Sequence, residues 1–177
     1  GGPPEPDSQL LKDIQSFMFW SARGAPLGEN LPGRGYRGVE KPEDGYSISR
    51  GESIYQDQCA VCHAEDGSGK FTADGKQIFP PLWGDQAYNW GAGMHRINTA
   101  AGFIKYNMPL GKANPVEKHA ALSDQQAWDV SAYINSHERP QDPRWEGDKA
   151  TTAEKWHDHA CLYNQEVRGH TLGEGTE

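Results

Sequence analysis

Cys59-Ala60-Val61-Cys62-His63 is the stretch on which the reading of the whole chain turns. Two thiols three positions apart on one helical turn can form thioethers to the two vinyl groups of one porphyrin edge. The histidine that follows then brings its imidazole under the iron. The spacing therefore points to one covalent haem c, with Cys59 and Cys62 as tethers and His63 as proximal ligand. A dithiol redox motif would need a βαβ setting, which is missing here. A zinc site would need a second ligand pair, and the candidates His157, His159 and Cys161 lie far along the chain. Three cysteines, an odd number, exclude a pure disulfide framework.

The composition agrees with a core filled partly by a cofactor. Only 35% of the 177 residues are hydrophobic, and the mean hydropathy is −0.85. With 21 glycines and 12 prolines, much of the chain must be loop. The net charge of −8 makes nucleic acid a poor partner. The longest apolar cluster, Phe17-Met18-Phe19-Trp20, is far too short for a membrane span.

Working outward from the cysteines, Ile48 to Gln58 reads as a helix with Gly51 and Tyr55 one turn apart on a face. Residues 64–85 read as loop. Trp90 to Lys105 reads as two short helices broken around Thr99–Gly102. Ser123 to His137 is the best-defined helix, opened by a Ser123/Gln126 capping box and packed through Trp128, Val130, Ala132, Tyr133 and Ile134. Residues 1–47 form an N-terminal extension expected to wrap the core. It holds a helical apolar stripe (Leu10, Leu11, Ile14, Phe17, Met18) and then a Gly/Pro run with Pro26, Pro32 and Pro42. The haem domain is expected at 48–138. Residues 139–177 form a polar C-terminal extension with one short helix, in which Thr151 and Glu154 suggest a capping box and Trp156, Ala160 and Tyr163 a stripe. Gly169 to Glu177 are expected to fray.

The sixth iron position decides what such a haem does. Met108, in Asn107-Met108-Pro109-Leu110-Gly111, leads the candidates, because Pro109 biases it out of the helical region and the span from His63 lets the chain circle a porphyrin. Met94, His95, His119 and Lys105 stay open as alternatives. The other ring nitrogen of His63 needs a carbonyl partner, and Pro80 is the expected acceptor.

With these residues in view, the stretch from about Ile48 to Arg144 resembles a class I cytochrome c. The implied fold is all-α, a few helices around one covalent haem, with loop-rich extensions at both ends. Tyr55 and Trp83 join Pro80 in the expected haem surroundings. The blocks Phe79-Pro80-Pro81-Leu82-Trp83-Gly84, Asn89-Trp90-Gly91-Ala92-Gly93-Met94-His95 and Leu122 to Val130 are similar to the C-terminal haem domain of dihaem thiosulfate dehydrogenases. In those enzymes the catalytic haem, with an unusual cysteine ligand, belongs to the first of two cytochrome domains. This sequence holds one Cys-x-x-Cys-His only, and residues 1–47 lack a cysteine. The resemblance thus implies a monohaem electron-transfer protein of periplasmic sulfur oxidation, not itself an enzyme. Its electrons would come from a sulfite or thiosulfate dehydrogenase and pass to a cytochrome or oxidase. The alternative is a catalytic haem subunit of a thiosulfate dehydrogenase-like enzyme, for which Lys105, Arg96 and Lys112 could hold an anionic substrate. Cys161 is open as a haem ligand, a metal ligand with His157, or a packed thiol.

Overall fold

The computed structural model describes residues 4–31, 35–114 and 119–176. Pro32 and Glu177, which figure in the expectations above, lie outside the described residues. The chain divides into two compact units, residues 1–35 and 36–177.

In the first unit Ser8 caps helix α1 (Gln9–Ser21), accepting from the Leu11 amide. The helix has no buried residue, and Phe17, Met18, Phe19 and Trp20 are all exposed.

The second unit is built on helix α5 (Asp124–Asn135), against which α2 (Ile48–Gln58) and α4 (Ile97–Asn107) both pack. The expected capping box opens α5. Ser123 Oγ accepts from the Gln126 amide at 3.2 Å, and Gln126 Oε1 accepts from the Ser123 amide at 2.9 Å. All nine residues from Ala127 to Asn135 are buried, so α5 is covered on every side. Gly51 allows α2 to cross it closely, since a Cβ there would collide with the Asp129 carbonyl oxygen and come within 2.8 Å of Tyr133 Cβ. The crossing is pinned by the Asp129 carboxylate, which is buried. It accepts from the Ser47 amide at 2.7 Å and from Arg50 Nε and Nη2 at 2.7 and 3.0 Å.

Helix α4 is continuous, which corrects the break expected around Thr99–Gly102. Gly102 sits inside the helix because the chain at Arg37 crosses it; a Cβ at 102 would lie 2.5 Å from the Arg37 carbonyl oxygen. The interruption comes earlier, at Arg96, between α4 and a 3-10 turn, Gly93–His95. Residues 64–85 are also not all loop. Strands β1 (Lys70–Phe71) and β2 (Gln77–Phe79) pair antiparallel and return the chain to Pro80. Residues of the 36–47 segment lie along α5, with Trp128 Nε1 donating to the Val39 carbonyl and Gln125 Nε2 to that of Gly45.

The C-terminal segment is core, not fringe. Leu162, Tyr163, Val167 and Leu172 are buried in one cluster with Trp90, Ile97, Ala101 and Trp128. Helix α6 (Lys149–Trp156) is capped by Asp148, not by Thr151, and ends before Ala160 and Tyr163. Strands β3 (Glu166–Val167) and β4 (His170–Thr171) form a small hairpin. The expected fraying stops at the Glu138 carboxylate, which accepts from the Gly173 and Glu174 amides at 2.7 and 3.2 Å and from Trp90 Nε1 at 3.1 Å. Burial works to raise the Glu138 pKa, but these hydrogen bonds outweigh it, and the net shift is downward.

Two outcomes are expected. Gly51→Ala should destabilise the protein by about 3 kcal/mol, the upper end for overpacking against backbone, read as a lower urea midpoint. Because the folded Glu138 pKa is depressed, its contribution is present above the unfolded carboxylate pKa and fades as the pH falls through the folded value. The melting temperature of Glu138→Gln should therefore be lower at neutral pH and lose less on acidification than that of the wild type.

Candidate functional site

Cys59 ends α2 and begins a single turn, α3 (Ala60–His63), with the Cys62 and His63 amides donating to its carbonyl at 3.0 and 2.9 Å. Before haem attachment, burial, with a smaller effect from Cys62, pushes the Cys59 thiol up to about 11. After His63 the chain reverses sharply. Ala64 takes φ 65°, and Gly69, at φ 77°, donates its amide to the His63 carbonyl at 2.9 Å. Tyr55, fully buried on α2, braces this reversal by donating its hydroxyl to the Ala64 carbonyl at 2.7 Å. Its ring lies 5.0 Å from that of Trp83 and 5.3 Å from that of Tyr133. Burial raises the Tyr55 pKa, so the phenol stays a donor. Trp83 in turn stacks on His137 at 4.1 Å. Tyr55 and Trp83 thus support the turn that carries His63.

His63 Nδ1 lies 2.9 Å from the Pro80 carbonyl, the expected hydrogen bond. The carbonyl can only accept, so Nδ1 carries the proton and Nε2 keeps its lone pair for a metal.

Met108 ends α4, its amide donating to the Ile104 carbonyl at 2.9 Å. Its side chain packs on the cluster of Tyr55, Ile104, Val130 and Tyr133 that also carries Cys59, Ala60, Leu82 and Trp83. The alternative sixth ligands are placed differently. Lys105 forms an ion pair with Asp124, and His95 is buried against His159. Met94 is half-buried in the 3-10 turn, and His119 is exposed on a loop that pairs with Asn114. Cys161 packs on the other cluster, with Trp90 and Trp128.

These residues fit a haem. Beside each proposed contact in the sequence, a large apolar side chain stands open to solvent: Val61 in the tether turn, Ile78 before Pro80, and Leu110 after Met108, at 69, 54 and 75% exposure. The fit itself rests on the donor chemistry: two cysteines on one turn, and a His63 whose Nε2 is left free because Nδ1 is bonded to the Pro80 carbonyl.

The sequence reading missed a second constellation. His95, His157, His159 and Cys161 come together, their nearest donor atoms all within 4.8 Å of one another. Burial lowers the pKa of all three histidines, that of His95 to about 3. His157, His159 and Cys161 alternate along the chain and were visible as a group; His95 was not, since only the tertiary fold brings it there.

Comparison with known proteins was made on this geometry. The cytochrome c family model matches residues 48–138. The thiosulfate dehydrogenase of Stutzerimonas stutzeri is 51% identical over 180 residues, covering 100% of this chain and 56% of that protein. The thiosulfate dehydrogenase of Thiomonas intermedia is 41% identical over 175 residues, covering 98% of this chain and 54% of its own length. The chain therefore spans about half the length of the curated relatives it matches. Among solved structures, a thiosulfate dehydrogenase from Marichromatium purpuratum superposes with a TM-score of 0.80 at 46% identity, covering 97% of this chain and 36% of that one.

These matches overturn one expectation. The relatives that align along the whole chain are enzymes, so the reading as a separate electron carrier that is no enzyme, fed by a sulfite or thiosulfate dehydrogenase, is set aside. The fold and the single covalent haem c stand. With α2, α4 and α5 set around one Cys-x-x-Cys-His turn, and the family model covering more than half of its residues, this chain belongs to the cytochrome c family.

Proposed function

We propose that this chain is a haem-bearing part of a thiosulfate dehydrogenase, acting in the oxidation of thiosulfate in the periplasm. The observation that carries the reading is the 51% identity, along the whole of this chain, to 56% of one such enzyme. Covalent haem attachment of this kind takes place outside the bacterial cytoplasm, which supports the compartment. No helix among the described residues is long and apolar enough to cross a membrane.

In this reading Cys59 and Cys62 would tether the haem, His63 and Met108 would be the residues that ligate its iron, and Pro80 holds the His63 ring. Bound in this way, the haem supplies a one-electron couple whose potential a histidine–methionine pair sets high. The protein's own contribution is positional. Pro80 keeps Nε2 of His63 available and its ring fixed, so little rearrangement accompanies a change of charge at the site. Tyr55 and Trp83 keep the turn after His63 from shifting. The electrons leave to a redox protein, a cytochrome or an oxidase, and the acidic surface steers docking to a basic patch on it. Of the three cations considered for substrate, Lys105 is held by Asp124 and Lys112 reaches Gln58 Oε1 at 3.3 Å.

The test is stopped-flow mixing of the oxidised protein, in its full natural length, with thiosulfate. Saturable reduction of the haem in visible absorbance is the expected result, and sulfite should give none. A haem that stays ferric in thiosulfate and is reduced only when a sulfite dehydrogenase is added would sink the reading. In Met108→Ala the methionine-to-iron charge-transfer band should vanish and the potential of this haem should fall. If both persist, Met108 is not its ligand.

A further inference from the structure

The cluster of His95, His157, His159 and Cys161 has the internal wiring of a metal site. His95 stands on the 3-10 turn Gly93–His95, His157 directly follows α6, and His159 and Cys161 lie in the strand-free segment after it. The backbone joins the two segments once, where the Ile97 amide donates to the Ala160 carbonyl at 2.8 Å. His95 and His157 are buried, while His159 and Cys161 are half-buried.

Each imidazole has one nitrogen committed to an acceptor. His95 Nδ1 is bonded to the Ala92 carbonyl. His157 Nε2 lies 3.0 Å from Asp142 Oδ2, a carboxylate also gripped by Arg144 Nη2 at 2.7 Å. His159 Nδ1 lies 3.4 Å from Asp158 Oδ1. These three acceptors place the ring protons on the outward nitrogens, the arrangement in which backbone carbonyls and carboxylates orient metal-bound histidines. The inward nitrogens, His95 Nε2, His157 Nδ1 and His159 Nε2, then carry lone pairs. His95 Nε2 and His159 Nε2 face each other at 2.7 Å, and His157 Nδ1 lies 3.6 Å from Cys161 Sγ. Two lone pairs opposed at hydrogen-bond distance need something positive between them. A neutral His159 with its proton on Nε2 could make this one contact by giving up the 3.4 Å bond to Asp158 Oδ1, but it would do nothing for His157 Nδ1 and Cys161 Sγ. A metal ion serves all four groups together.

The donor set also names the class of ion. Three imidazoles and one thiolate suit a tetrahedral ion of borderline softness, bound at about 2.0–2.1 Å through nitrogen and about 2.3 Å through sulfur. Four protein ligands leave no open position, which is the structural kind of site.

We propose that His95, His157, His159 and Cys161 bind one zinc ion, which fastens the C-terminal segment to the start of α4. Cys161 enters as thiolate, its proton passing to solvent as the ion binds. The ion does the work that a disulfide would do elsewhere, joining the C-terminal segment to the body of the cytochrome fold next to the buried Trp90 and Tyr163. Tyr163 stacks flat on His157 at 4.0 Å, so the ligand and the core residue behind it are held as one body.

The test uses the haem-loaded protein, equilibrated with zinc chloride and freed of excess by gel filtration. Elemental analysis should give one zinc per haem iron. Zinc-edge X-ray absorption, which haem iron does not disturb, should show three nitrogens and one sulfur. Cys161→Ser should lose the sulfur and retain zinc more than about 100-fold less tightly, with the haem spectrum unchanged. Chelation should lower the melting temperature of the wild type and leave that of Cys161→Ser unmoved. A wild-type protein that retains no more zinc than Cys161→Ser, or a zinc shell of nitrogen and oxygen alone, would overturn the proposal. The second of those readings is taken on wild-type protein alone and does not depend on any variant folding well.

Discussion

The haem turn depends on the hydrogen bond between His63 and the Pro80 carbonyl, and much of the surrounding structure is arranged so that this bond can form. His63 sits at the end of a four-residue helix, too short to be stable on its own. It is held in place by a reversal at Ala64, by the Gly69 amide, and by Tyr55 reaching across from α2. The acceptor arrives from a separate direction, at the end of the β1–β2 hairpin. Two independent paths of chain thus converge on one imidazole. The geometry of the ring is set by the protein before any charge moves through the site.

That convergence requires a rigid backing, and α5 supplies it. A helix buried over nine successive residues can be stable only if its neighbours fit closely, and Gly51 marks a close approach to α5 while Gly102 marks one on α4. The first lets α2, and with it Tyr55, lie near the α5 axis. The second admits the 36–37 segment against α4. The Asp129 carboxylate fixes the first crossing because it is buried with each oxygen occupied, so a shift of α2 would strand a charge away from water.

Much of this was legible in the sequence because it rests on local rules. The Cys-x-x-Cys-His spacing, the Ser123/Gln126 box and the position of Pro80 each follow from a few adjacent residues. What was not legible depends on distant partners. Gly102 looks like a helix breaker until Arg37 is seen against it. The last residues look like a frayed polar tail, because the Glu138 carboxylate that receives their amides is some thirty-five positions away. Asp148 and Thr151 both suit a helix start, and Asp148 takes the cap, its Oδ1 accepting from the Thr151 amide at 2.9 Å. His95 shows no pattern at all with His157 in the sequence.

The two constellations also explain why the C-terminal segment is ordered despite its polarity. A chain with so few aliphatic residues cannot rely on apolar burial alone. On the haem side, the tether through Cys59 and Cys62 adds a large apolar group to the core. On the far side of the core, the segment from His157 onward contributes only a handful of apolar side chains, chiefly Leu162, Tyr163, Val167 and Leu172. The remaining hold is polar: Asp142 joins His157 to Arg144, and Glu138 collects the amides near the terminus. Such contacts fix direction more than they add stability, because each replaces a hydrogen bond to water. A strongly bound ion differs in that its ligands have no equally good partner in the unfolded chain, so its binding free energy becomes folding free energy. The segment from His157 onward, with few apolar residues, also holds three of the four imidazole and thiol groups, and an ion bound there would supply the hold that apolar burial does not.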